Sequence, residues 1–200
     1  LGPAGLDQIT LETWSYLQQA DQIILRTEIH PAAQELKARQ INFSACDAVY
    51  DSGEDFAQIY QDITDIVLRK AQTMPEGTTL LYCVPGHPCV AEDTVQRLLK
   101  QAPQKEVPLR VLSAMSFLDP VFTALGIDPT QAGFVVIDAL ALPEPLPGNC
   151  SCLFTQVYSR LIASDLKLSL LEHYPPEQKV KILYHVGITS EQKIREVPLA

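Results

Sequence analysis

An apolar run, Leu80-Leu-Tyr-Cys-Val84, stops abruptly at Pro85-Gly86-His87-Pro88, and a helical pattern follows from about Val90 to Leu99. This succession of strand, stiff loop and helix constrains the fold more than any other stretch of the chain. In an open α/β sheet, ligands bind at the tips between the carboxyl ends of strands and the helices that follow. Two prolines set the path of this tip, and Gly86 lets a ligand come close to the backbone.

The same alternation recurs along the chain. Thr10 can cap a helix to about Ala20, with Glu12 favourably placed in its first turn. Gln22–Thr27 has strand character, and Pro31 suits the first turn of a short helix to about Ala38, with His30 near its cap. A weak strand is expected near Ile41–Phe43. The clearest helix runs from Glu54 to about Gln72, where Phe56, Ile59, Tyr60, Ile63, Ile66 and Val67 repeat at steps of three and four. Strands are expected at Thr78–Val84, Val107–Leu112, Phe134–Ile137, Leu153–Val157 and Lys179–Tyr184. Helices are expected from Ser116 to Leu125, where Pro120 places the first turn near Asp119 and Gly126 ends the helix, and from Ser159 to about His173.

Strands alternating with helices point to βαβ units and a mainly parallel sheet with right-handed crossovers. Pro143, Pro145 and Pro147 stiffen Leu140–Gly148, as suits a linker. The expected organisation is therefore an N-terminal α/β lobe over 1–142, a linker over 143–152, and an incomplete C-terminal α/β lobe over 153–200. No internal repeat or low-complexity tract interrupts it.

With 200 residues, 46% of them hydrophobic, the chain has enough apolar surface for a sizeable core. Its 15 basic and 24 acidic residues leave a net charge of −9, which argues against nucleic acid or an anionic membrane as partner. No apolar run approaches the ~20 residues of a membrane span, and no signal peptide is visible. The five cysteines, Cys46, Cys83, Cys89, Cys150 and Cys152, match no zinc spacing; structural thiols in a reducing cytoplasm are expected. The opening Leu1-Gly2-Pro3 and the closing Val197-Pro198-Leu199-Ala200 suggest a segment of a longer protein.

Three groups invite a chemical reading. Leu1-Gly2-Pro3-Ala4-Gly5 precedes a helix, with Glu28 a candidate ribose-binding acid, but only G-x-x-G of the dinucleotide fingerprint is present. An ordinary tight turn explains it equally well. His87, Glu92 and Asp93 are metal-ligand types, although Glu92 and Asp93 fall in a first helical turn, where acids favour the dipole without any metal. No metal is expected. His30 is either a cap beside a helix-starting proline or, with Arg26 and Thr27, part of a crevice shared with His87. Ser116 stands at a third tip, or is only a helix cap. No catalytic triad follows from spacing alone.

Taken in order, Leu-Gly-Pro-Ala-Gly-x4-Thr, Arg-Thr-x2-His-Pro, Val-Pro-Gly-His-Pro-x-Val-Ala-Glu and Ser-Phe-Leu-Asp resemble the tetrapyrrole (corrin/porphyrin) methylase superfamily. Within it the chain most resembles the N-terminal methylase-like domain of MazG-type proteins. Asp47-x2-Tyr50, Phe56-x3-Tyr60, Gln156-Val157-Tyr158 and Ala163-Ser-Asp-Leu-Lys-Leu168 also fit that branch. The resemblance implies a two-lobed α/β fold, a homodimer, and S-adenosyl-L-methionine held between the lobes. It implies cofactor contacts at Pro3, His87, Val90, Ser116, Phe117, Gln156, Val157 and Gly187, with Val186 beside the last. His87 stands where most members carry aspartate, and Ala4 replaces a usual glycine. Arg26, His30 and His87 then become candidates to face the acceptor, with His87 as a base or a carboxylate anchor.

The expected function is methyl transfer to a small-molecule acceptor that the sequence does not name. The competing expectation is a cofactor-binding or regulatory module serving a downstream nucleoside-triphosphate pyrophosphohydrolase. The clustered carboxylates that magnesium-dependent hydrolysis requires are not seen in this sequence.

Overall fold

The computed structural model describes residues 1–52 and 55–200, so the expected helix start at Glu54 lies outside the described residues. The chain divides into two compact units, Leu1–Pro120 and Val121–Ala200.

The first unit comprises α1 (Leu11–Gln19), β1 (Gln22–Leu25), α2 (Pro31–Ala38), β2 (Ser44–Ala45), α3 (Asp47–Ser52), α4 (Phe56–Thr73), β3 (Leu80–Cys83) and α5 (Asp93–Gln101), and α6 (Leu118–Leu125) begins at its end. The three strands form a parallel sheet in the order β2-β1-β3. β1 sits in the middle with Ile23, Ile24 and Leu25 all buried, as a parallel strand covered on both faces requires. Ile23 and Leu25 pack with Leu17 of α1 and with Ala32, Ala33 and Leu36 of α2. Ile24 points the other way, into Ile59, Ile63, Val67 and Leu68 of α4 and Leu98 of α5. The period-two alternation of one strand thus divides the core between two helical layers.

Several elements depart from the sequence reading, each for a local reason. The weak strand falls at Ser44–Ala45 rather than Ile41–Phe43, because the Ile41 amide is spent on the end of α2, donating to the Leu36 carbonyl at 3.0 Å. Helix α5 begins at Asp93 rather than near Val90. Val90 N closes a turn on the His87 carbonyl at 3.0 Å, and Ala91 adopts φ 53°. Helix α6 begins at Leu118, whose amide donates to Ser116 Oγ at 3.1 Å. Helix α3 was not anticipated.

Val107–Leu112 is not a strand. Pro108 has no amide to donate, and β3 is paired only with β1 among the described residues. A cavity of about 510 Å³ is lined by Leu80–Val84 and by Val107–Leu112 alike, so these segments face a common space and do not form a ladder.

The second unit contains α7 (Pro129–Ala132), β4 (Phe134–Asp138), β5 (Ser151–Thr155), α8 (Arg160–Leu171), β6 (Lys179–Tyr184) and β7 (Lys193–Pro198). β4 and β5 pair in parallel, Phe134 opposite Ser151. The proline-rich Leu140–Gly148 joins these two strands, inside the second unit. β6 and β7 form an antiparallel pair, Lys179 opposite Pro198, that the sequence reading did not contain. Ser159 caps α8 by accepting from Ile162 N. No helix among the described residues is long and apolar enough to cross a membrane.

Candidate functional site

The parallel strands β1 and β3 end side by side, and the segments leaving them carry the expected tips. The Leu1 nitrogen donates to the Val84 carbonyl at 2.7 Å, and Gly86 N donates to the Gly2 carbonyl at 2.7 Å. The glycine loop and the Pro85–Pro88 loop are thereby laced together. Gly2 adopts φ 70°, and a Cβ there would collide with the Gln8 carbonyl, so the turn requires glycine. Gly86 also has positive φ, 69°, but nothing lies within 4 Å of where its Cβ would stand. The loop leaves open backbone at the ligand-facing end of the sheet.

His30 belongs to the same cluster in a structural role. It is the N-cap of α2, its Nδ1 accepting from Ala32 N at 3.3 Å, and its ring also hydrogen-bonds the Gly2 backbone. Burial lowers its pKa to about 4. With both nitrogens engaged, His30 joins α2 to the glycine loop and has no free lone pair for proton abstraction.

Arg26 leaves the end of β1 and enters a polar network that sequence spacing does not show. Its Nε lies 3.0 Å from Glu92 Oε2, although the N–H points off the carboxylate, so charge rather than an aligned hydrogen bond holds that contact. Its NH1 donates to the Tyr50 hydroxyl at 2.9 Å. Glu92 Oε1 accepts from Thr94 Oγ1 at 2.6 Å, and Thr94 Oγ1 is 2.9 Å from the Tyr82 hydroxyl. Burial raises the Glu92 carboxyl above its ordinary value, with Arg26 and Thr94 pulling it back. Glu92 is therefore a buried counter-ion at the N-cap of α5, not a solvated first-turn acid.

The other candidates take these places. Thr27 Oγ1 donates to Asp47 Oδ1 at 2.6 Å, and Asp47 Oδ2 accepts from Glu28 N at 2.9 Å. Glu28 pairs with Lys37 at 2.7 Å, which favours a structural role over ribose binding. Ser116 is buried, its amide and hydroxyl both donating to Asp119 Oδ2, at 2.7 and 3.2 Å. Pro3, Val90 and Phe117 are half-buried. His87 is half-buried too, with Nδ1 accepting from Cys89 N at 3.0 Å. Among the described residues, no group of three or more His, Cys, Asp or Glu is placed to hold a metal ion.

In the second unit, Gln156 and Val157 follow the end of β5, and His185, Val186 and Gly187 follow β6. Gln156 and His185 adopt φ 62° and 48°, backbone that non-glycine residues seldom occupy and that clusters at functional sites. No sequence signal marked that strain.

The first unit offers open backbone at Gly86, half-buried apolar surface at Pro3, Val90 and Phe117, and a His87 Nε2 that has no hydrogen-bond partner among the described residues.

The chain belongs to the tetrapyrrole (corrin/porphyrin) methylases, whose family pattern matches residues 1–200. Uroporphyrin-III-C-methyltransferase from Thermus thermophilus shares the fold with a TM-score of 0.72 at 21% identity, over 99% of this chain and 82% of that one. A structure of the Thermus thermophilus uroporphyrin-III C-methyltransferase complexed with S-adenosyl homocysteine superimposes with a TM-score of 0.69 at 16% identity, over 99% of this chain and 85% of that one. YabN of Bacillus subtilis (strain 168), an uncharacterized protein, is 36% identical over 200 residues, covering all of this chain and 40% of YabN. The methyltransferase/cyclic-peptide gymnopeptides precursor gymMA1 of Gymnopus fusipes is 28% identical over 139 residues, covering 69% of this chain and 32% of that protein. The chain thus spans less than half the length of these curated relatives.

Proposed function

We propose that this chain is an S-adenosyl-L-methionine-dependent methyltransferase domain acting on a small molecule. The observation that carries the reading is the lacing of the Leu1–Gly5 and Val84–Pro88 loops at the carboxyl ends of β1 and β3, with open backbone at Gly86. Membership in a methylase family supports it. When bound, the cofactor supplies an electrophilic methyl group; transfer from a sulfonium needs positioning and a suitable field, not a covalent nucleophile. Pro3, His87, Val90, Ser116 and Phe117 of the first unit hold the cofactor. Arg26, kept in place by Glu92 and Tyr50, faces the acceptor.

The domain works as a cytoplasmic homodimer within a longer MazG-type protein that carries a nucleoside-triphosphate pyrophosphohydrolase domain. The 40% share of YabN that it matches accords with a longer architecture.

Calorimetric titration with S-adenosylhomocysteine tests the cofactor assignment. The native chain binds it saturably. Gly86→Val places a β-branched side chain at positive φ and into the open space, so affinity drops by at least about 10-fold while the far-ultraviolet circular dichroism stays native. Absence of binding by the native chain contradicts the assignment.

A further inference from the structure

The Pro85–Val90 loop has an unusual inventory of hydrogen-bonding groups. Pro85 and Pro88 have no amide hydrogen. The Gly86 amide is taken by the Gly2 carbonyl, the Cys89 amide by His87 Nδ1, and the Val90 amide by the His87 carbonyl. Two nitrogen donors of the loop have no partner among the described residues, and both belong to His87: its own amide and its ring Nε2.

The Cys89 contact also settles which ring nitrogen carries the proton. A backbone N–H can only donate, so His87 Nδ1 presents its lone pair to Cys89, and the neutral ring carries its hydrogen on Nε2. The outward nitrogen is a donor. To accept a proton the ring must take it at Nδ1, and that breaks the turn with Cys89. The His87 carbonyl, in turn, is held by Val90 N. His87 itself therefore offers hydrogens, from its amide and from Nε2, to an oxygen.

We propose that His87 is a hydrogen-bond donor of fixed tautomer, binding an oxygen of the cofactor through Nε2–H, and that it is not the base of the transfer. This deepens the methyltransferase reading and rests on it. It also gives the histidine, where most of the resembling family carries aspartate, a definite chemical consequence: a donor stands in the place of an acceptor.

Two substitutions separate the roles. Asparagine and aspartate can both accept from the amide two residues on, so both preserve the turn with Cys89. His87→Asn still offers N–H donors and cannot serve as a base. His87→Asp offers no donor and is a competent base. Affinity for S-adenosylhomocysteine in His87→Asn is expected within about 3-fold of the native chain, and in His87→Asp weaker by about 10-fold or more. Titration with 5′-methylthioadenosine, which lacks the carboxylate, identifies the oxygen. If only S-adenosylhomocysteine binding suffers in His87→Asp, the partner is the carboxylate; if both suffer, it is an oxygen of the nucleoside.

Long-range proton–nitrogen spectra of the native chain above neutral pH read the tautomer without any ligand, and the Nε2–H form is expected. A predominant Nδ1–H form, or S-adenosylhomocysteine binding by His87→Asp equal to native, overturns the proposal. Binding by the native chain in those same titrations keeps that failure distinct from failure of the cofactor assignment.

Discussion

Glu92→Ala is expected to destabilise the first unit by about 3–5 kcal/mol, the usual cost of removing one partner from a buried ion pair. The Glu92 side chain is 4% exposed and Arg26 22%, so little water reaches the pair. Without the carboxylate, the Arg26 side chain keeps the Tyr50 hydroxyl as its one hydrogen-bond partner among the described residues, and Thr94 loses the acceptor it holds at 2.6 Å. Urea unfolding measures the loss as a lowered midpoint at unchanged slope. Replacing both charges with apolar residues, Arg26→Met with Glu92→Leu, should recover most of the stability, because desolvation offsets much of a buried pair's attraction. The double-mutant cycle then gives the coupling directly. A cost below about 1 kcal/mol for Glu92→Ala means that the pair is solvated and that Arg26 is not held in place by it.

The second large effect is a loss of stability in mild acid from His30. Its pKa is about 4 in the folded chain, pulled down chiefly by burial and further by the positive charge of Arg26. The unfolded value is near the ordinary ~6.5. A depressed pKa contributes stability that is complete above the unfolded value and is lost as pH falls toward the folded one. The window is therefore pH 6.5 down to 4, and the full loss is about 3 kcal/mol. His30→Asn keeps an N-cap side chain and cannot titrate. Near pH 7.5 that variant should be slightly less stable than the native chain, and near pH 4 clearly more stable. Parallel stability curves for the two proteins between those limits contradict the buried, neutral histidine and reopen a proton-accepting role for it.

Local chemistry was legible in the sequence where it depends on neighbours a few residues apart. The apolar stripe of α4 showed at helical spacing, and Ile59, Ile63 and Val67 are buried in the core. The His30-Pro31 dipeptide marked a helix start, and Pro85–Pro88 marked the tip after β3. What failed depends on distant partners. Val107–Leu112 has strand composition, but a strand exists only beside another, and these residues face a cavity. The pairing of Arg26 with Glu92 spans 66 positions, so Glu92 passed for an acid serving the helix dipole. β7 was overlooked because Lys193–Pro198 is half charged and mostly exposed, and only its pairing with β6 makes it a strand. The tautomer of His87 was likewise illegible, because it is set by the direction of one backbone amide.

The central claim is that the cofactor engages the loop tips of the first unit. Backbone amide spectra of the isotope-labelled chain, recorded with and without saturating S-adenosylhomocysteine, test it most directly. Shifts are expected at Gly86, His87, Val90, Ser116 and Phe117. Unchanged spectra, or shifts confined to residues outside these loops, contradict the account.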